Sequence, residues 1–200
     1  MDPLVKSTVI LLIVSLFDCS NGYPNGQVQG SCSSMVPRHG VNAQTSAAPY
    51  TLSLSKSTYS AGQEITVTLR ADNSPFRGFM IQAHRSNSLN PVGSFKVNGN
   101  AQTLDCTSTA SAVSHTSAEP KQSIQVTWVA PADSNSDLQL KASVVQSHPI
   151  YWTDVTSSKL TYSGTNATSG TNGTTTENSG FQQTAPPLFG LILMVTVLWI

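Results

Sequence analysis

The chain has 200 residues, with ten basic side chains balanced by ten acidic ones, and charged residues make up only 10% of it. That balance excludes the basic field that nucleic acid requires and any acidic tail, so no nucleic-acid partner is expected. Ser, Thr, Asn and Gln carry the polar side instead, and long runs of strong helix formers are absent, which suits an extracellular β-protein.

The first stretch reads as a secretory leader. Lys6 supplies the positive start, Thr8–Phe17 the apolar run, and Ser20 and Gly22 the small residues before a cleavage ahead of Tyr23. The apolar run is too short for a membrane span, which needs roughly 20 such residues. Cys19 leaves with the leader, so residues 1–22 are set apart from the mature chain. Cys32 and Cys106 remain as an even pair in an oxidising compartment and are expected to bond to each other. Two cysteines alone make no zinc site.

Next comes a turn-rich stretch, Tyr23–Gly30, and an irregular one, Ser31–Gly40, pinned by Cys32. Strands are expected at Tyr50–Ser55, Glu64–Arg70, Phe79–His84, Val92–Val97, Ala101–Cys106, Ile124–Trp128, Leu138–Gln146 and Ile150–Tyr162. Glu64–Arg70 is the cleanest, with Ile65, Val67 and Leu69 on one face. Asn98-Gly99 marks a hairpin. Ile124, Val126 and Trp128 share a face, and Pro131 ends that strand because proline cannot donate to a ladder. Ser111–Pro120 reads as a connection rich in hydroxyl residues. Leu138, Leu140, Ala142 and Val144 are expected to face in, with Lys141 and Ser143 facing out. About eight short strands separated by turns predict an antiparallel β-sandwich of Greek-key type.

Past Tyr162 the composition shifts. Ser163–Gly180 has almost nothing apolar to bury and is expected to be a disordered stalk, with N-glycosylation sequons at Asn166 and Asn172. Residues 181–200 end in the apolar run Leu188–Ile200, with no Lys or Arg after it. Small residues, a short spacer and such a tail are the signal for a glycolipid (GPI) anchor, with Asn178 or Ser179 as the attachment point. A single-pass helix starting near Ala185 is the competing reading. Either way the membrane is an expected partner, and the cell surface is the expected location, with secretion as the alternative.

No nucleophile elbow, metalloprotease or dinucleotide motif is present, and His39, His84, His115 and His148 stand singly. A non-enzymatic protein without a cofactor follows. The best binding feature is Phe76-Arg77-Gly78-Phe79: aromatic faces stack on sugars or lipids, and arginine forks onto carboxylate or phosphate. The bland alternative places Phe79 in the core and Phe76 across the turn. Tyr151 and Trp152, adjacent on a strand, should point to opposite faces, leaving one of them open to exposure.

Several segments together resemble a known family: Tyr23-Pro-Asn-Gly26, Cys32 with Met35-Val-Pro-Arg-His39-Gly40, Gly62-Gln63, Phe76–Phe79, Pro91–Phe95, Cys106, Ser111–His115, Trp128 with Ala130-Pro131, and Tyr151-Trp152. In order over residues 23–162 they are similar to the reeler domain, found at the N-terminus of reelin, in ferric-chelate reductase-like proteins and in insect haemolymph defence proteins. The resemblance implies an immunoglobulin-like β-sandwich and supports the Cys32–Cys106 bridge. Short defence-type members are similar to pattern-binding proteins, which implies a microbial surface glycan or lipopolysaccharide as ligand. The alternatives are an extracellular protein partner in an adhesion or structural role, or a place beside a reductase-like redox system. This chain shows no membrane bundle to hold haem, so reductase activity does not carry over.

Overall fold

The structure, a computed structural model, describes residues 22–164. The leader before Gly22, the stalk from residue 165 onward, Asn166, Asn172, Asn178, Ser179 and the apolar tail lie outside the described residues. The described part is all-β apart from one short 3-10 turn, Gln29–Ser31. Among the described residues no helix is long and apolar enough to cross a membrane.

Two antiparallel sheets face each other. One holds β1 (Tyr50–Leu54), β3 (Glu64–Ala71), β8 (Ser123–Val129) and β5 (Ser94–Lys96), in that order. The other holds β10 (Ile150–Thr156), β9 (Leu138–Ser147), β4 (Gly78–Arg85), β7 (Ala112–His115) and β6 (Ala101–Leu104). A small parallel pair, β2 (Thr58–Tyr59) with β11 (Thr161–Tyr162), closes one side. β3 alternates strictly, burying Ile65, Val67 and Leu69, because its other face meets water. These residues pack with Val126 and Trp128 of β8 and with Phe79, Ile81, Leu140 and Val144 of the opposite sheet, forming one core.

The second face of the five-stranded sheet is covered along β4 and β7, while Lys141 of β9 stays partly exposed. Every residue of β4 from Gly78 to His84 is buried. Phe79, Ile81 and Ala83 enter the main core, whereas Met80 joins Leu104 and Ala112 in a second cluster. Val28, Met35 and the Cys32–Cys106 disulfide cover that cluster. The N-terminal segment, residues 22–47, therefore lies over the outer face of this sheet like a strap.

The covering segment changes three expectations. Ser143 faces away from the main core as expected but is buried, its hydroxyl donating to the Met35 carbonyl. Tyr151 and Trp152 do point to opposite faces, yet both are buried: Trp152 joins the core, and Tyr151 sits under the strap with its hydroxyl donating to the Val41 carbonyl at 2.7 Å. Ala112–His115, expected as part of a connection, is strand β7, paired on both sides by β4 and β6. Its polar residues are buried beneath the strap, so no alternation marks it.

Candidate functional site: a cleft beneath the N-terminal segment

The strap is held by its carbonyl oxygens. The Gln82 side-chain amide donates to the Cys32 carbonyl at 3.0 Å, and the Ser114 hydroxyl to that of Gly26 at 2.7 Å. Gln102 donates to the Asn25 carbonyl, His115 Nε2 to that of Tyr23 at 3.2 Å, and Trp152 Nε1 to that of Ser46 at 3.1 Å. With Ser143 and Tyr151, seven side chains of the sheet grip seven strap carbonyls. Each of these seven side chains thereby finds a partner on the strap. Gly26 makes the closest approach: its φ is +70°, and a Cβ there would coincide with the His115 carbonyl oxygen.

Between strap and sheet the covering is incomplete and leaves a cleft of about 290 Å³. Met80, Val145 and the Gly78–Phe79 backbone line it from the sheet, and Val28, Met35 and Pro37 from the strap. Arg38 and Arg77 stand at its edge with His39 and His148, and no Asp or Glu lines it. The two imidazoles stack 4.6 Å apart, and His39 Nδ1 donates to the His148 carbonyl at 2.8 Å.

The charge at this cleft is unusual for the molecule. Among the described residues, Arg70, Arg85, Lys96, Lys141 and Lys159 each form an ion pair with a carboxylate. Lys121 is buried, and its ammonium donates to the carbonyls of Arg77, Ser117 and Glu119. Of the remaining basic side chains, Lys56, Arg38 and Arg77, both arginines line the cleft. Arg77 is set there by a reciprocal backbone bridge between Phe76 and Lys121 and by its own bond from Nη1 to the Ala118 carbonyl at 3.1 Å. Arg38 makes a long contact to the Gly30 carbonyl at 3.4 Å. Both guanidiniums are exposed and free of carboxylate partners among the described residues.

The sequence singled out Phe76, Arg77 and Phe79, and the structure separates them. Phe76 is fully buried, edge-on to both Tyr50 and Phe79. Phe79 is 2% exposed. Their rings supply core area, the bland alternative, and Arg77 is the member of the trio whose side chain reaches the edge of a cleft. Sequence reasoning did not assemble Arg38, Met35, Met80 and the His39–His148 stack around Arg77. Their contacts span the whole chain, and no local spacing announces them. Among the described residues no three His, Cys, Asp or Glu side chains gather in a group that could hold a metal.

His115 sits at the floor of this region. Its Nε2 must donate to the Tyr23 carbonyl, which leaves Nδ1 to accept from the Phe79 N–H at 3.2 Å. Burial pushes its pKa below the ordinary histidine value, and burial does the same to His84 and His39. The unfolded chain therefore binds protons that the native one refuses, and stability falls as pH drops through the window below the ordinary value. The urea midpoint should be level above about pH 7 and decline between about pH 6.5 and 5, with a shallower decline in His115→Gln. A midpoint that rises on acidification through that window would show that burial does not govern these imidazoles.

Comparison with known proteins agrees with this architecture. The Reeler domain family model matches residues 30–168. Ferric-chelate reductase 1 of Mus musculus is 36% identical over 156 residues, which are 75% of this chain and 26% of that protein. The chain thus spans about a quarter of that relative's length. Defense protein l(2)34Fc of Drosophila melanogaster is 33% identical over 149 residues, covering 72% of this chain and 91% of that one. The crystal structure of a human F-spondin reeler domain fragment superposes with a TM-score of 0.53 at 28% identity, over 66% of this chain and 99% of the fragment. With a family match over most of its length and a sandwich shared with a solved member, this chain belongs to the reeler domain family.

Proposed function

We propose that this domain is a non-enzymatic extracellular recognition module that binds components of microbial surfaces, glycan or lipopolysaccharide. The observation that carries the reading is the match to a defence protein along nearly all of that relative's length. There, one domain of this kind is almost the entire protein, so the domain itself is the working part. The Cys32–Cys106 disulfide suits an oxidising, extracellular setting. The residues around the cleft offer cations and apolar surface. The test is titration of the secreted protein onto immobilised bacterial lipopolysaccharide and β-glucan. Saturable binding to at least one is expected, and no saturable binding to either would end the microbial reading.

The identity with a ferric-chelate reductase favours a second reading, an extracellular accessory of a redox system. Haem or a metal carried by the purified protein would support it, read from its absorbance spectrum and metal content. A colourless, metal-free preparation would remove it.

A further inference from the structure

We infer that the cleft beneath the strap binds a single-chain anionic amphiphile, with its carboxylate or phosphate at Arg38 and Arg77 and its alkyl chain against Val28, Met35, Met80 and Val145. This deepens the binding-module reading and rests on it, but not on the microbial origin of the ligand.

Three observations carry the assignment. The first is size. About 290 Å³ is roughly twice a cavity that holds one benzene ring, so it admits one alkyl chain of about ten carbons and is too small for several chains. The second is lining: Met and Val side chains from strap and sheet meet across the space, and methionine adapts its shape to a flexible chain. The third is charge. The described arginines outside the cleft, Arg70 and Arg85, have carboxylate partners. The two that line it have none among the described residues, and no acidic residue faces them from strap or sheet. Guanidinium forks match carboxylate and phosphate, so an anionic head group completes an arrangement that the protein leaves open. The stacked imidazoles of His39 and His148 also line the cleft, a polar boundary between head and chain.

The full chain, secreted from cultured cells and purified, is titrated with decanoate and decyl phosphate below their micelle concentrations, followed by calorimetry. Saturable one-to-one binding is expected for one or both, and the two arms distinguish the head groups. Arg38→Gln and Arg77→Gln should each weaken it by about fivefold to tenfold, and raised salt should weaken it further. Both substitutions are at exposed side chains, and an unchanged urea midpoint verifies the fold. Neutral decyl maltoside, cationic decyltrimethylammonium, acetate and inorganic phosphate should bind far more weakly. The proposal is overturned if neither decanoate nor decyl phosphate binds, if a neutral or cationic chain binds as tightly, or if the arginine variants bind like the parent. Lipopolysaccharide or β-glucan binding retained without decanoate or decyl phosphate binding sinks the cleft assignment alone. Decanoate binding without either microbial ligand sinks the microbial reading alone.

Discussion

Replacing Cys32 and Cys106 together by alanine should lower the stability of the domain by about 4 kcal/mol, the chain-entropy value for a loop of this length. The bridge spans a sequence separation of 74 residues, so its loss frees a large part of the chain in the unfolded state. It has a second, local effect. Cys32 is where the strap is joined covalently to the sheet, and the Sγ atoms pack on the small cluster of Met80, Leu104 and Ala112. Without the bridge the strap depends on the hydrogen bonds to its carbonyls, each worth about 1 kcal/mol net. Opening of the strap should therefore outpace opening of the sandwich. Limited trypsin digestion reads this directly: cleavage after Arg38 should accelerate well before cleavage after Arg70, which lies in β3. A urea midpoint unchanged from the parent, with Arg38 equally protected, would show that the bridge holds nothing.

Trp128→Ala should cost about 3–5 kcal/mol, the range for removing a buried large aromatic. Trp128 is fully buried near the C-terminal end of β8, facing Ile65 on one neighbouring strand and Phe95 on the other. Tyr59 meets it edge-on at 5.6 Å, and its Nε1 donates to the Val92 carbonyl at 2.9 Å. The backbone closes around it: at Gly93, φ +74°, a Cβ would stand 2.5 Å from Nε1. Such packing leaves little room for collapse into the vacated space. Against a typical total of about 5–15 kcal/mol, the loss should leave a large unfolded fraction on warming. Trp128→Phe separates the two contributions, since it retains most of the ring and leaves the Val92 carbonyl unpaired, a loss of about 1–3 kcal/mol. An alanine variant within about 1 kcal/mol of the parent in urea unfolding would refute the central role of this side chain.

How much of this was legible in the sequence depended on what each strand faces. β1, β3 and β8 have one face in the core and one in water, so Leu52, Ile65, Val67, Leu69, Val126 and Trp128 alternate with polar residues. β9 showed its inward face clearly, but Ser143 looked like a surface residue, because a serine under a strap and a serine in water are the same letter. β7 was illegible for that reason throughout: Ser114 and His115 are buried by hydrogen bonds to the strap, not by apolar character. β2 and β11, two residues each, are too short to carry a period. In the cleft, Arg77 was visible because two aromatics flank it. Arg38 was not, since its proximity to Arg77 exists only after the strap has crossed the sheet.

The way the strap is gripped separates what holds it from what it presents. The seven anchoring bonds end on main-chain oxygens, which every residue type supplies, and the side chains that reach for them belong to the sheet. Apart from Gly26, where a Cβ has no room, Gly40, whose φ of +69° favours glycine, and Cys32, which is bonded, the strap keeps its seat through bonds that do not depend on its side chains. Arg38 is thus free to drift, and Met35 and Val28 can exchange for other apolar side chains that cover the Met80 cluster, while Gln82, Ser114 and Ser143 are held. One sandwich could then carry a different cleft lining in each descendant, in the manner of a lock whose barrel is kept and whose pins are recut.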